Sequence, residues 1–312
     1  MLLLIYLNIL KDTALKRITY SNTSFLRDDI KCKKVLKEAN LVICLLKLES
    51  DIFASGIDDG TISIWSINNF ESIKAVREHT DSVFCLLKLE NERFASGSWD
   101  RTIRIWSTKN FKCNEILKGH KDSVLCLSNL DSQTFASGSV DKTIRIWSTI
   151  NFECLKVIEE HSDLVICLIK IDSDTFASGS WDRTIRIWST NIFECNKVLK
   201  GHKDSVFCLI KLDDDTFASG SRDKKIRIWS TKNFECIKVL EGHADWVNSL
   251  HKLDSFTFAS ESRDKKIRIW STENFKCNKV LEGHANSVNC FLKLDKDIFA
   301  SGSDDKSIRI WN

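Results

Sequence analysis

GHKDSVLCLSNLDSQTFASGSVDKTIRIWS, residues 119–148, is one of a series of near-identical segments that follow one another along this chain. A tryptophan stands at the same place in each segment and recurs every 41 residues, at Trp65, Trp106, Trp147, Trp188, Trp229, Trp270 and Trp311. A fixed period of roughly 40–45 residues is typical of a structural unit that cannot bury its own faces and stacks on its copies. The repeat therefore predicts one closed object, although a length of 312 residues alone suggests two domains.

Each repeat contains four short runs that favour β-strands. In the copy that ends at Trp106 these runs are SIKAV (72–76), VFCLLKL (83–89), RFASGS (93–98) and TIRIW (102–106). β-Branched and aromatic residues dominate the runs, polar turn residues separate them, and no segment shows a sustained helical period. Four strands in each radially repeated unit predict a propeller, in which blades surround a central channel.

The recurring pattern GH…FASGSxDxxIRIW resembles the WD40 repeat family, whose signature is a Gly-His pair followed by a Trp-Asp pair at this period. The resemblance covers residues 30–312 and implies an all-β, seven-bladed β-propeller. One departure is consistent along the chain, because the aspartate of the Trp-Asp pair is replaced in every copy. The residues in its place are Ser66, Ser107, Ser148, Ser189, Ser230, Ser271 and Asn312.

The end of the last repeat bears on how the ring closes. The third strand of that repeat ends at Trp311, so the seventh blade needs an outer strand from elsewhere. Residues 30–36 (IKCKKVL) read as that strand, and the family resemblance implies the same closure by an N-terminal segment. Residues 1–29 are interpreted as an N-terminal extension. Because KRITYSNTSF (16–25) faintly resembles KIRIWSTKNF (225–234), a degenerate or truncated repeat is the alternative.

Composition excludes several classes of function. The 46 basic and 43 acidic side chains are interspersed and give a net charge of +3, which argues against nucleic-acid or membrane binding. The 12 cysteines include no CxxC, so we expect free thiols in a reducing compartment and neither metal nor cofactor. The apolar start MLLLIYLNIL is shorter than the roughly 20 residues of a membrane span and lacks signal-peptide features. The expected location is the cytoplasm, with the nucleus as the alternative.

Four polar or aromatic residues recur at fixed offsets: a histidine, a serine, an aspartate and the repeat tryptophan. The complete sets are His79, Ser96, Asp100 and Trp106; His120, Ser137, Asp141 and Trp147; His161, Ser178, Asp182 and Trp188; His202, Ser219, Asp223 and Trp229; His243, Ser260, Asp264 and Trp270; and His284, Ser301, Asp305 and Trp311. Serine, histidine and aspartate together could form a hydrolase triad, but an enzyme needs one such set and not six. The family resemblance implies a structural hydrogen-bonded tetrad in each blade. We therefore predict no catalytic residues.

The first repeat breaks this pattern. Ser55, Asp59 and Trp65 are present, but Glu38 occupies the place of the histidine, next to a one-residue deletion. A glutamate cannot bridge serine and aspartate as an imidazole does. The first blade is therefore expected to be the least rigid.

Three tryptophans lie outside the regular series. Trp99 and Trp181 share the position before the tetrad aspartate, where the remaining copies have Asp58, Val140, Arg222, Arg263 and Asp304. Trp246 lies three residues after His243, where other copies have serine or leucine. In the tetrad arrangement both positions belong to the same end of a blade. The resemblance implies that this end is the face that WD40 proteins commonly use for partners.

Exposed aromatic residues and arginines are enriched at binding hot spots, so this face is the candidate site. The candidate partner-binding residues are Trp99, Trp181, Arg222, Trp246, Asn248, Arg263, Asp58 and Asp304. Blades 4–6 carry basic and aromatic residues, namely Trp181, Arg222, Trp246 and Arg263, whereas Asp304 and Asp58 make the arc of blades 7 and 1 acidic. The alternative explanation is neutral drift at a tolerant turn position.

The sixth repeat departs furthest from the others. Asn248 and Ser249 replace residues that are mostly apolar or cysteine, His251 replaces a mostly aliphatic residue, and Glu261 replaces the glycine of FASGS. A histidine and a carboxylate on neighbouring strands could support chemistry. Because no nucleophile joins them, a satisfied polar pair near the channel is the favoured interpretation.

These observations predict a non-catalytic scaffold that binds protein or peptide partners, as an adaptor or substrate-receptor subunit of a larger complex. A short motif with an acidic or phosphorylated residue would suit Arg222 and Arg263. The propeller itself is expected to be monomeric within that complex. The alternative is an RNA- or chromatin-associated subunit, for which a basic face with stacking aromatic residues would be required.

Overall fold

The computed structural model describes residues 30–312, which form 28 β-strands and no helix. The strands make seven antiparallel four-stranded sheets, here called blades. The expected all-β, seven-bladed β-propeller is therefore confirmed. The extension at residues 1–29 lies outside the described residues, and its interpretation remains a prediction. Within residues 30–312, no helix has the length and apolar character that crossing a membrane would require.

The strands of each blade follow one another in the sequence, except in blade 7. Blade 1 contains β2 (Val42–Lys47), β3 (Ile52–Ile57), β4 (Ile62–Ser66) and β5 (Ser72–Val76); blade 2 contains β6 (Val83–Leu89), β7 (Arg93–Ser98), β8 (Ile103–Ser107) and β9 (Cys113–Leu117); blade 3 contains β10 (Val124–Asn129), β11 (Thr134–Ser139), β12 (Ile144–Ser148) and β13 (Cys154–Ile158); blade 4 contains β14 (Val165–Lys170), β15 (Thr175–Ser180), β16 (Ile185–Ser189) and β17 (Cys195–Leu199). Blade 5 contains β18 (Val206–Lys211), β19 (Thr216–Ser221), β20 (Ile226–Ser230) and β21 (Cys236–Leu240); blade 6 contains β22 (Val247–Lys252), β23 (Thr257–Ser262), β24 (Ile267–Ser271) and β25 (Cys277–Leu281); blade 7 contains β26 (Val288–Asp295), β27 (Ile298–Ser303), β28 (Ser307–Trp311) and β1 (Cys32–Lys37).

The hydrophobic core lies between the blades, at contacts that we call seams. At the seam of blades 3 and 4, Ile144 and Ile146 of β12 pack with Leu168, Phe176 and Trp188 of the next blade. The Phe176 and Trp188 rings stack with their centroids 6.1 Å apart. Because each sheet is covered on both faces by its neighbours, a single repeat has no complete core of its own.

Ring closure joins the two ends of the described chain. Strand β1 pairs with β28 in an antiparallel register that places Cys32 opposite Trp311 and Lys37 opposite Ser307. The amide of Lys31 donates to the carbonyl of Asn312 at 2.9 Å, and the reciprocal bond is 3.1 Å. The sequence-based expectation that residues 30–36 complete the last blade is confirmed. Closure pairs the edge that β28 would otherwise leave open.

The glycine of FASGS is required by the distance between neighbouring blades. A Cβ atom on Gly138 would lie 2.6 Å from Sγ of Cys126 and 2.7 Å from Cγ1 of Val165 in the next blade. In blade 6, Glu261 occupies this position and is fully buried, opposite Ser249 rather than a cysteine. Burial raises the pKa of Glu261 well above its ordinary value, and the smaller opposing effect comes from the Ser249 hydroxyl.

The expectation that His251 and Glu261 form a satisfied polar pair is wrong. The register places Glu261 opposite Ser249 and His251 opposite Ala259, and no hydrogen bond joins the two side chains within residues 30–312. The His251 ring instead lies 6.4 Å from the ring of Phe291 in blade 7. Burial lowers the pKa of His251 to about 4, so the ring is neutral near neutral pH. The two residues therefore do not form a satisfied pair.

Replacing Leu36 by alanine tests the closure. Leu36 is 5% exposed at the seam of blades 7 and 1, and Leu117 is 5% exposed at the equivalent place in blade 2. Each Leu→Ala change is expected to cost about 2–5 kcal/mol because it leaves a cavity. Urea unfolding of the two variants should therefore show similar losses. A negligible effect of Leu36→Ala beside a normal effect of Leu117→Ala would contradict closure by β1.

Replacing Glu261 by glutamine tests the buried carboxyl. Burial raises the pKa of Glu261 in the folded protein above that of an ordinary glutamate. The contribution of protonated Glu261 to stability is therefore fully present below the ordinary glutamate pKa. It is lost as the pH rises through the folded-state pKa. The wild type should therefore lose stability relative to Glu261→Gln as pH increases over this window. Thermal unfolding of both proteins at a series of pH values measures the difference. Parallel curves for the two proteins would show that the carboxyl is not buried as described.

Candidate protein-binding face

Six blades contain the complete hydrogen-bonded tetrad. In blade 3, Nε1 of Trp147 donates to Oγ of Ser137 at 2.8 Å, and that oxygen lies 2.7 Å from Nε2 of His120. Nδ1 of His120 lies 2.9 Å from Oδ2 of Asp141. Because the serine hydroxyl donates to Nε2, the histidine proton resides on Nδ1 and is donated to the carboxylate. The same contacts recur in blades 2, 4, 5, 6 and 7.

The tetrad joins two segments at one end of the blade. The histidine lies in the loop before the inner strand, called here the His loop, and the aspartate lies in the turn between the second and third strands, called the Asp turn. In blade 5, burial opposes ionisation of Asp223, but the hydrogen bond and charge of His202 outweigh it and lower the carboxyl pKa to about 2. Burial also lowers the pKa of His202. The loop and turn are thus held by a neutral imidazole and a carboxylate.

The geometry of the tetrads is poorly suited to hydrolysis. The serine side chains are fully buried; these residues are Ser96, Ser137, Ser178, Ser219, Ser260 and Ser301. Each serine oxygen already accepts a hydrogen bond from an indole N–H, and a substrate has no access to it. The arrangement therefore holds the blade together and offers no nucleophile to solvent.

Blade 1 replaces the histidine with two side chains. The hydroxyl of Ser55 donates to Glu38 at 2.9 Å and still accepts from Trp65 at 3.0 Å. Glu38 does not reach Asp59, which instead accepts a 3.2 Å hydrogen bond from the Asn40 amide. Burial raises the pKa of Glu38, against the lowering effect of the two serine hydroxyls that donate to it. The continuous chain of hydrogen bonds found in the other blades is thus interrupted.

The positions that vary between repeats lie side by side on one face. In every blade, the backbone amide before the tetrad aspartate donates to the carbonyl of the residue three places after the tetrad histidine position. These bonds are 3.0 Å from Trp99 to Ser82, 3.1 Å from Trp181 to Leu164, and 3.0 Å from Arg263 to Trp246. We call the end of the ring that carries these His loops and Asp turns the top face. All three additional tryptophans are on it.

Trp99 and Trp181 expose much of their indole rings. Trp99 is 48% exposed and stacks on Phe84 of its own blade, with ring centroids 5.5 Å apart. Trp181 is 38% exposed in blade 4. Both follow a strand whose last serine is fully buried, so a rigid sheet presents each ring to solvent. Rigid aromatic side chains lose little conformational entropy on binding, which suits them to act as anchors.

Trp246 is the centre of a cluster at the seam of blades 5 and 6. The guanidinium carbons of Arg222 and Arg263 lie 4.3 and 4.5 Å from the centroid of the Trp246 ring, and the two arginines come from the Asp turns of blades 5 and 6. Phe207 of blade 5 stacks on the indole at 5.6 Å. Sequence reasoning identified the tryptophan and the arginines but missed Phe207 and Phe84. Their signal was an aromatic residue directly after the first valine of the inner strand.

The remaining candidate residues have partners inside the chain. The Asn248 amide donates to Ser287 Oγ and to the Val288 carbonyl, both at 2.9 Å, across the seam with blade 7. A carboxylate oxygen of Asp58 accepts the Leu41 amide at 2.9 Å, and Asp304 accepts from Asn289 at 2.7 Å. These three side chains therefore stabilise loops and seams, which reduces their freedom to bind a partner.

The opposite face has a different composition. A groove there crosses blades 1 to 4 at the turns between first and second strands and is lined by acidic, basic and amide side chains, including Glu49, Lys88, Glu90, Asn129 and Lys170. No aromatic residue lines it. This groove therefore lacks the tryptophan and arginine side chains typical of a binding hot spot, which the top face carries.

Comparison with known families agrees with this architecture. The sequence matches the family described as WD40, "WD domain, G-beta repeat", at residues 70–107, 111–148, 152–189, 193–230, 234–271 and 275–312. The chain therefore belongs to the WD40 repeat family. No curated protein matches the sequence. WD40 propellers commonly mediate protein–protein interactions and are generally non-catalytic scaffolds.

Hydrogen exchange tests the interrupted tetrad. The strands at residues 41–65 of blade 1 should exchange their amides faster than the equivalent residues 124–147 of blade 3, since Glu38 and Asn40 replace one bridging imidazole. Exchange followed by mass spectrometry on the intact chain compares the two segments. Equal protection would show that the substitute contacts hold blade 1 as firmly as a complete tetrad.

Proposed function

We propose that this protein is a non-catalytic scaffold that binds protein or peptide partners on the top face of its propeller. The observation that supports this function best is the aromatic side chains of the top face. Trp181 of blade 4 is 38% exposed, and the half-buried Trp246 lies against two arginines at the seam of blades 5 and 6. Large exposed aromatic residues beside arginines are the side chains that dominate protein interfaces. A closed ring keeps them at fixed positions, which lowers the entropic cost of binding.

In this proposal the propeller is an adaptor or substrate-receptor subunit, monomeric itself and assembled into a larger complex. The opposite face and the outer strands then remain available for other subunits. Cytoplasmic action, with the nucleus as the alternative, suits the twelve cysteines, which are all free thiols.

An RNA- or chromatin-associated role is the second candidate. It is favoured by the exposed Lys224 and Lys265, which add positive charge beside Arg222 and Arg263 at the Asp turns of blades 5 and 6. Against it stands the nearly balanced overall charge of +3. Non-specific nucleic-acid binding depends on many phosphate contacts and would be steeply salt-dependent.

Affinity capture from cells tests the proposed face. Partners recovered with the intact chain should be lost when Trp181 and Trp246 are both replaced by alanine, because truncating a hot-spot residue costs about 2 kcal/mol or more of binding free energy. The matched control replaces Ile150 and Ile192, which are 73% and 59% exposed in turns on the opposite face, by alanine. Recovered partners are compared by quantitative mass spectrometry. Retention of the same partners by the tryptophan variant, or their loss only in the isoleucine variant, would assign binding to another surface.

A further inference from the structure

We propose that the seam of blades 6 and 7 is the place where the ring opens, and that a rise in pH drives this opening. The two blades separate there while the other seams stay closed. The device consists of a carboxyl and an imidazole, those of Glu261 and His251, on the face of blade 6 that covers blade 7. Such a separation is local and reversible, unlike the unfolding of the whole chain.

Blade 6 turns two ionisable side chains toward blade 7. Ser249 is paired with Glu261, and two residues further along His251 is paired with Ala259. Residues two apart on a strand share a face, and Ala259 packs in the core cluster shared with blade 7. On this face the His251 ring lies 6.4 Å from the ring of Phe291. The other six repeats have glycine in the place of Glu261, and aliphatic residues or serine in the place of His251.

The carboxyl group of Glu261 is enclosed without a partner. The residue is fully buried, and neither of its carboxylate oxygens has a hydrogen-bond partner. On Gly138, the equivalent residue of blade 3, even an added Cβ atom would lie 2.7 Å from a methyl group of Val165 in the next blade. An ionised carboxylate that is buried unpaired is far more costly than the neutral acid. The closed seam therefore holds Glu261 in its protonated form.

The groups around Glu261 supply no positive charge. The Ser249 hydroxyl faces it from the inner strand of its own blade, and the thiols of Cys208 and Cys290 interact with it from blades 5 and 7. Burial raises the pKa of both thiols well above the ordinary value, so both are neutral. Burial likewise raises the pKa of Glu261, and the opposing effects come from Ser249 and its own backbone, not from a cation.

Glu261 and His251 respond to pH in opposite directions. In an open seam Glu261 regains its ordinary pKa of 4.5, so its contribution to closure is complete below this pH and is lost as the pH rises toward the raised value. Burial lowers the pKa of His251 from 6.5 to about 4. The contribution of His251 is therefore complete above pH 6.5 and is lost as the pH falls through about 4.

The two responses together set the pH range of the opening. Between pH 4.5 and 6.5 they cancel, because an open seam with a carboxylate and an imidazolium binds as many protons as the closed seam. Above pH 6.5 the closed seam holds one proton more than the open seam. Each further pH unit should then increase the open population by up to about tenfold, until Glu261 ionises in the closed seam.

The remaining polar contacts of this seam lie near the top face. The Asn248 amide donates to Ser287 Oγ and to the Val288 carbonyl across the seam, both at 2.9 Å. Asn248 follows Trp246 by two residues, so separation of the blades also releases the segment that carries this tryptophan. An effect of pH on partner binding is a consequence that rests on the proposed function.

Hydrogen exchange of the full-length protein between about pH 5 and about pH 8.5 tests the opening. A blade whose face is uncovered loses the packing that holds its sheet, so its amides exchange faster. Protection factors, corrected for the intrinsic exchange rate at each pH, are compared for β23 and β26 and for their counterparts β11 and β14 at the seam of blades 3 and 4. Protection of β23 and β26 should be constant up to pH 6.5 and then fall by up to about tenfold per pH unit. Protection of β11 and β14 should stay constant throughout.

Three variants separate the contributions of the two groups. Glu261→Gln should abolish the fall above pH 6.5, whereas His251→Leu should keep it and extend it down to pH 4.5. The double variant Ser249→Cys with Glu261→Gly restores the residues of the other repeats and should also abolish the fall. It serves as the second test if glutamine does not fit, and thermal unfolding verifies that each variant folds.

Each contrary result identifies what is wrong. An equal fall at the seam of blades 3 and 4 would show unfolding of the whole ring instead of one opening seam. A fall that persists in both variants without Glu261 would assign the titration to another group, and constant protection in the wild type would show that the seam stays closed. Exchange is measured without a partner, so these results leave the proposed function to the cell capture described above.

Discussion

The hydrogen-bonded chain from tryptophan through serine and histidine to aspartate is the interaction on which the top face depends. It begins on a buried indole in the third strand and ends on a carboxylate in a surface turn, so it connects the core of each blade to its most variable loops. Leaving one of these buried groups without its partner costs about 1–3 kcal/mol, and this holds in each of the six blades that contain the complete tetrad. The two segments that carry the candidate binding residues are therefore fixed relative to each other before a partner binds.

This rigidity explains how nearly identical repeats support a site that is not symmetric. The residue before the tetrad aspartate contributes its backbone amide to the bond with the His loop, so that bond does not depend on which side chain it carries. Tryptophan, arginine, valine and aspartate therefore all fit the same backbone. The clustering of Arg222, Trp246 and Arg263 arises because a His loop lies between the Asp turns of two adjacent blades. Substitutions at single positions of adjacent repeats therefore form one continuous surface that spans a seam.

Blade 6 shows where the repeat pattern is less tightly enforced. Its glycine position holds Glu261, and the smaller Ser249 on the paired strand makes room near the bulky side chain. Asn248, one residue earlier, spans the seam to Val288, and Asn289 makes the equivalent bond from blade 7 to Val42 of blade 1. The last two seams before closure thus use side-chain amides where other blades have an apolar residue. Polar contacts across a seam are directional, and they help to set the register of neighbouring blades.

The sequence by itself determined the number of blades, the strand order and the tetrads. The reason is that a strict period of 41 residues places the same residue types at the same positions of seven successive repeats. It also indicated closure by residues 30–36, since one outer strand was missing from the last repeat. Only the tertiary structure decided what the irregular residues contact. Asn248, Asp58 and Asp304 bind groups that are distant in the sequence, His251 and Glu261 lie apart, and two arginines meet one indole across a seam. Periodicity fixes contacts that every copy shares, whereas a contact made once depends on the packing of particular neighbours.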